Sequence, residues 1–91
     1  MIAVDIDFTA CRTVDEAHVA IGTALNFPQH YGGNLDALWD ALTVDIPRPI
    51  AVTAIGVGRA KLALGDLIDA ILEVFRDAER QDDGLSLRVV E

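Results

Sequence analysis

Hydrophobic positions recur along this chain with two periods, and the switches between them mark its elements. In Ile2-Ala3-Val4-Asp5-Ile6-Asp7-Phe8 the apolar Ile2, Val4, Ile6 and Phe8 alternate with small or acidic residues, the pattern of a strand covered on one side. Thr13-Val14-Asp15-Glu16 follows as a capping box, which predicts a helix running to about Leu25 with Ala17, Ile21, Ala24 and Leu25 turned inward. Phe27-Pro28 should end it, because a residue before proline avoids helical geometry. A second, short helix is expected from Leu35. The turn signal Ile46-Pro47-Arg48-Pro49 then leads into Ile50-Ala51-Val52-Thr53-Ala54-Ile55, whose nearly continuous apolar character predicts a buried central strand. From about Asp66 to Arg80, Leu67, Ile68, Ile71, Leu72, Phe75 and Ala78 recur at helical spacing, and Asp82-Asp83-Gly84 should close that helix. Leu85 to Val90 alternates again as a last strand.

With another short helix after the central strand, the order is strand, helix, helix, strand, short helix, helix, strand. Strands joined by helical crossovers pair in parallel, so the expected class is α/β: a small three-stranded parallel sheet packed with about four helices. No linker, repeat or low-complexity stretch divides the 91 residues, which read as one domain over 1–91. A chain of this size buries only about 60 to 65% of the surface its unfolded form exposes. Its 52% apolar content makes an efficient core feasible.

Charge narrows the range of partners. Fifteen acidic against seven basic side chains leave a net charge of -8, which repels nucleic acid and anionic membrane and favours a basic partner. The apolar stretches are too short to cross a bilayer and the first residues lack a basic, cleavable leader, so a cytoplasmic protein is expected. The single Cys11 has no partner for a disulfide or a zinc site and reads as packing. Gly56-Val57-Gly58-Arg59-Ala60-Lys61 invites a nucleotide-binding reading, but the third glycine of the dinucleotide fingerprint is missing and the spacing departs from the Walker pattern. Cofactors are not expected.

The stretch His30-Tyr31-Gly32-Gly33-Asn34-Leu35-Asp36-Ala37-Leu38-Trp39-Asp40-Ala41-Leu42-Thr43 carries the chemistry. The glycines permit a tight turn with positive φ, and Asn34 is placed as the N-cap of the short helix. At about 100° per residue Leu35, Leu38 and Leu42 share one side as anchors, Asp36, Asp40 and Thr43 share another, and Trp39 lies at the seam. Asp36 and Asp40, four apart, repel by about 0.2 to 0.5 kcal/mol. Only Asp36 gains from the helix dipole, and Asp45 falls near the end where negative charge is disfavoured. Helix stability therefore does not explain the acids. A solvated face leaves the tryptophan unexplained. A metal-holding or proton-transferring enzyme would need ligand spacing that His18 and His30 do not supply, and His18 reads as a structural side chain near Val14 and Ile21. A protein interface accounts for both acids and aromatic.

Residues 27–43, Phe27-Pro28-Gln29-His30 through Thr43, resemble the central motif of the barstar family of ribonuclease inhibitors, and Val74-Phe75-Arg76-Asp77-Ala78 resembles a second family segment with its acid at Asp77. The resemblance implies a three-layer α/β/α arrangement and a cytoplasmic inhibitor, not an enzyme, of a small secreted microbial ribonuclease of the barnase and guanyl-specific class. The inhibitor would be monomeric when free and bind one to one. Asp40 would stand in for an RNA phosphate, with Asp36 beside it and Asp77 contributing from a neighbouring helix. His30, Gly32, Asn34, Leu35, Trp39 and Thr43 would supply the surrounding contacts. His30 occupies a family tyrosine position, Ala41 a cysteine position, and Val44-Asp45 a glycine-tryptophan pair, so Asp45 adds charge where relatives offer aromatic surface. The alternatives are an immunity module for another basic toxin or a metal-assisted hydrolase. The resemblance also implies a cis bond at Arg48-Pro49.

Overall fold

The computed structural model describes residues 2–81 and 84–91. Its elements run β1 (Ile2–Asp7), α1 (Val14–Leu25), α2 (Leu35–Asp40), a π-helical turn (Ala41–Asp45), β2 (Ile50–Ile55), α3 (Val57–Leu64), α4 (Asp66–Gln81) and β3 (Leu85–Val89). The expected order is present, although the last strand stops one residue short of Val90, and the proposed close of α4 at Asp82 and Asp83 lies outside the described residues. Among the described residues no helix is long and apolar enough to cross a membrane.

Local chemistry explains where elements begin and end. The Thr13 hydroxyl accepts from the Glu16 amide at 3.1 Å, and the Glu16 carboxylate accepts from the amides of Thr13 at 3.1 Å and Arg12 at 2.8 Å. At the other end α1 stops at Leu25, as expected, but the stop is made by Asn26 ahead of Phe27-Pro28. Asn26 turns left-handed at φ 57°, and the Phe27 amide closes back on the Gly22 carbonyl at 2.9 Å. Gly56, also left-handed at φ 73°, sits where a Cβ would come within 2.9 Å of the Thr9 backbone. That glycine is therefore needed for the crossing of two chain segments, which explains it without a nucleotide.

The three strands pair in parallel in the order β1-β2-β3, with Ile2, Ile50 and Leu85 in one row and Val4, Val52 and Leu87 two residues on. Arg48-Pro49 is cis, immediately before the central strand. Ile6, Ile50, Val52, Ala54 and Leu85 form one face and join Ala17 and Ile21 of α1, Leu38 and Leu42, Ala60 and Leu64, and Ile68, Ile71 and Phe75 of α4 in a single core. Leu67, expected on the buried stripe of α4, is instead 55% exposed, because in the first turn it falls beyond the edge of that stripe.

The layer count differs from the expectation. On the other sheet face Ala3, Asp5, Asp7, Ser86 and Arg88 are exposed and Ala51, Thr53 and Ile55 half-buried. The helices collect on one side, and the thinnest dimension of 18 Å matches two layers of about 10 Å spacing rather than three. Polar residues alternate through the outer strands on the uncovered face, so the sheet needs no second helical layer.

Candidate functional site

The acidic segment is built from a loop, a short helix and an irregular turn. Gly33 takes φ +66°, which points the chain into α2, and Asn34 then caps it, its side-chain oxygen accepting from the Ala37 amide at 2.8 Å. Leu38, Ala41 and Leu42 are buried. Leu35 is not an anchor as expected: it is 42% exposed, because the first turn of α2 overhangs a cleft that it lines with Val14, Leu67, Ala70 and Ile71.

After Asp40 the winding loosens into the π-helical turn Ala41–Asp45. At 100° per residue Asp45 would lie about 140° around the helix from Asp40. A turn closed by i to i+5 bonds brings those positions back towards one side. Asp40 and Asp45 accordingly border one depression of about 230 Å³ together with His30, Gly32 and Tyr31. Thr43 does not present its hydroxyl freely beside the acids. It donates to the Trp39 carbonyl at 2.8 Å, the back-bond to the i−4 carbonyl that a helical threonine makes. The turn is closed by Arg48, whose guanidinium donates to the Leu42 carbonyl at 2.6 Å and the Ile46 carbonyl at 3.2 Å.

The loop carrying His30 and Gly32 is tied to α1. Tyr31 packs edge-on against Phe27, ring centroids 4.9 Å apart, and its hydroxyl lies 2.6 Å from Nδ1 of His18. His18 lies on α1 as a structural side chain and is buried, which the expected stripe of Ala17, Ile21, Ala24 and Leu25 did not include, and its partner Tyr31 was not legible from sequence. Burial lowers the pKa of His18 and pushes that of Tyr31 up to about 12, so the pair is neutral near pH 7, with one hydrogen shared between oxygen and nitrogen. Burial likewise raises the Cys11 thiol, which keeps it protonated.

Asp36, Asp40 and Asp45 are exposed, Asn34 is exposed beside them, and Trp39 is half-buried against the core. Their carboxylates lack a cationic side-chain partner among the described residues. Asp77 stands on α4, the helix against which α2 and the π-helical turn pack, and its carboxylate is engaged by Arg80. Glu73, which shares Arg80 at 2.9 Å, was absent from the sequence reading although the helical spacing 73, 77, 80 carries it. Among the described residues no three His, Cys, Asp or Glu side chains are grouped to hold a metal.

The comparisons with known proteins agree with this construction. The family model described as Barstar (barnase inhibitor) matches residues 1–91. A protein of Bacillus subtilis (strain 168) named "Putative ribonuclease inhibitor YrdF" is 33% identical over 76 residues, which is 84% of each chain. With its parallel sheet, its four α-helices among the described residues and this full-length match, the chain belongs to the barstar family of barnase inhibitors.

Proposed function

We propose that this protein inhibits a small secreted microbial ribonuclease of the barnase and guanyl-specific class by seating the acidic edge of α2 in its active site. The observation that carries the reading is the set of carboxylates, Asp36, Asp40 and Asp45, without a cationic partner among the described residues and held on a capped and clamped helix rather than on a mobile tail. An enzyme that cleaves RNA holds phosphate with cationic groups. A carboxylate delivered on a rigid element accepts charge-assisted hydrogen bonds from those groups in place of the phosphate. Asp40 takes that central role, with Asp36 one turn before it and Asp45 beside it across the depression. His30, Gly32, Asn34, Leu35, Trp39 and Thr43 form the surrounding surface, and Asp77 adds to it from α4. Each ribonuclease is blocked by one inhibitor, and the producing cell keeps the inhibitor in its cytoplasm.

Asp40→Ala tests the reading. It leaves the enzyme's cations buried without a partner and should weaken the complex by about 2 to 5 kcal/mol or more, a magnitude for which complexes of this family are a standard example. The free variant should unfold in urea at the same or slightly higher concentration than the parent, because repulsion is relieved and alanine favours helix. Asp5→Asn, on the uncovered sheet face, is the control and should leave binding unchanged. Calorimetric titration against a panel of such ribonucleases reads affinity. Normal binding by Asp40→Ala, or a loss matched by unfolding, sinks the phosphate-mimic reading.

A further inference from the structure

Asp77 differs from the acids of α2 in that its own helix neutralises it. Positions 73, 77 and 80 fall on one face of α4, and Nη2 of Arg80 donates both to the Glu73 carboxylate at 2.9 Å and to the Asp77 carboxylate. The two carboxylates raise the pKa of Arg80, their hydrogen bonds being the largest cause. The side chains are 61% (Arg80), 59% (Glu73) and 51% (Asp77) exposed, so water screens the cluster and the pairs can open without disturbing the core.

We infer that Arg80 is a specificity-determining residue of the inhibitor, an internal cation that competes with the partner's cations for Asp77. The inference rests on the inhibitor reading above. A ribonuclease that places a cation against α4 must displace Arg80 before Asp77 can bond to it, and the lost internal pair subtracts from what the new one adds. A ribonuclease without a cation there meets an acid that is already paired, and is not penalised for burying it. Arg80 therefore flattens discrimination at the α4 edge and leaves affinity concentrated on Asp40.

A double-mutant cycle tests this. Arg80→Gln should tighten binding to the best-inhibited ribonuclease about three- to fivefold, the scale of an exposed ion pair. In an Asp77→Asn background the same change should do little, and the difference between backgrounds is the competition itself. Arg88→Gln removes an equal charge from the uncovered sheet face, away from this cluster, and should have the smaller effect. Asp77→Asn alone should weaken binding far less than Asp40→Ala does. Equal tightening with and without Asp77 would make Arg80 a bulk charge, and weaker binding by Arg80→Gln would make it a contact; either overturns the inference. In the free protein, slowed rotation of the Arg80 guanidinium in NMR spectra should disappear in the Glu73→Gln, Asp77→Asn variant, and its persistence also overturns the pairing. A parent protein that binds none of the panel would instead overturn the inhibitor reading and this inference with it, whatever the NMR result.

Discussion

At the scale of single residues, the pair that most needs a partner is His18 and Tyr31. A buried imidazole is costly to charge, and here it meets a phenol 2.6 Å away that links α1 to the loop before α2. Because burial holds the folded pKa of His18 below its ordinary 6.5, the unfolded chain binds more protons as the solution is acidified. The stability this contributes is fully present above about pH 6.5 and is lost as pH falls through the folded value. Asp15, which faces the same groove, partly offsets the effect by favouring the charged form. Tyr31 acts at the opposite end: its contribution is complete below pH 10 and fades as pH rises towards about 12. Tyr31→Phe should lower stability by about 0.5 to 1.5 kcal/mol at pH 7 and flatten the loss at high pH. Urea unfolding of parent, Tyr31→Phe and His18→Gln across pH 5 to 11 checks both limbs. A parent whose acid limb is no steeper than that of His18→Gln would mean that His18 does not govern it.

At the scale of the element, α2 is too short to be stable by itself. Six residues form too few hydrogen bonds to overcome nucleation, so α2 depends on its ends and on what it buries. Asn34 supplies the first end, Leu38 and Leu42 the burial, and Arg48 the second end by donating to carbonyls that the π-helical turn leaves open. Arg48 also packs close against Gly84, where a Cβ would lie 2.9 Å from its side chain. Hydrogen bonds from a charged donor contribute about 1.5 to 3 kcal/mol, so Arg48→Met should lose about 2 kcal/mol of stability. Amide exchange should quicken selectively across residues 41–46. Uniform quickening over the whole chain would show that Arg48 acts on global stability rather than on this turn.

At the scale of the molecule, the net charge of -8 and the one-sided layering act together. The helices lie on one face of the sheet, so the candidate surface is built on helices and loops that have a rigid sheet behind them. A negative field of this size should steer a basic ribonuclease to an on-rate of about 10⁸ M⁻¹s⁻¹ at low salt. At 1 M salt, where the screening length is about 3 Å, the rate should fall by about tenfold or more towards the range of unsteered association. Stopped-flow mixing at several ionic strengths reads this directly, and a rate independent of salt would contradict an electrostatic interface.

What the sequence determined by itself was whatever depends on neighbours along the chain. Alternation in 2–8 and 85–90, helical spacing in 66–80 and the capping box at Thr13 are local signals, so element order, parallel pairing and the buried central strand were legible. The motif over 27–43 was equally legible because it is contiguous, and it pointed to the family that the full-length match establishes. Tertiary structure decided what depends on distance. Which sheet face is covered follows from where the helices settle, so two layers replaced three. Leu35 and Leu67 face a shared cleft instead of the core because their first turns overhang it. Asp45 joins Asp40 only because the backbone loosens into a π-helical turn, which assumes neither the winding nor the hydrogen bonding that an ideal α-helix supplies. His18 found Tyr31 thirteen positions away, across a turn whose path no local pattern encodes.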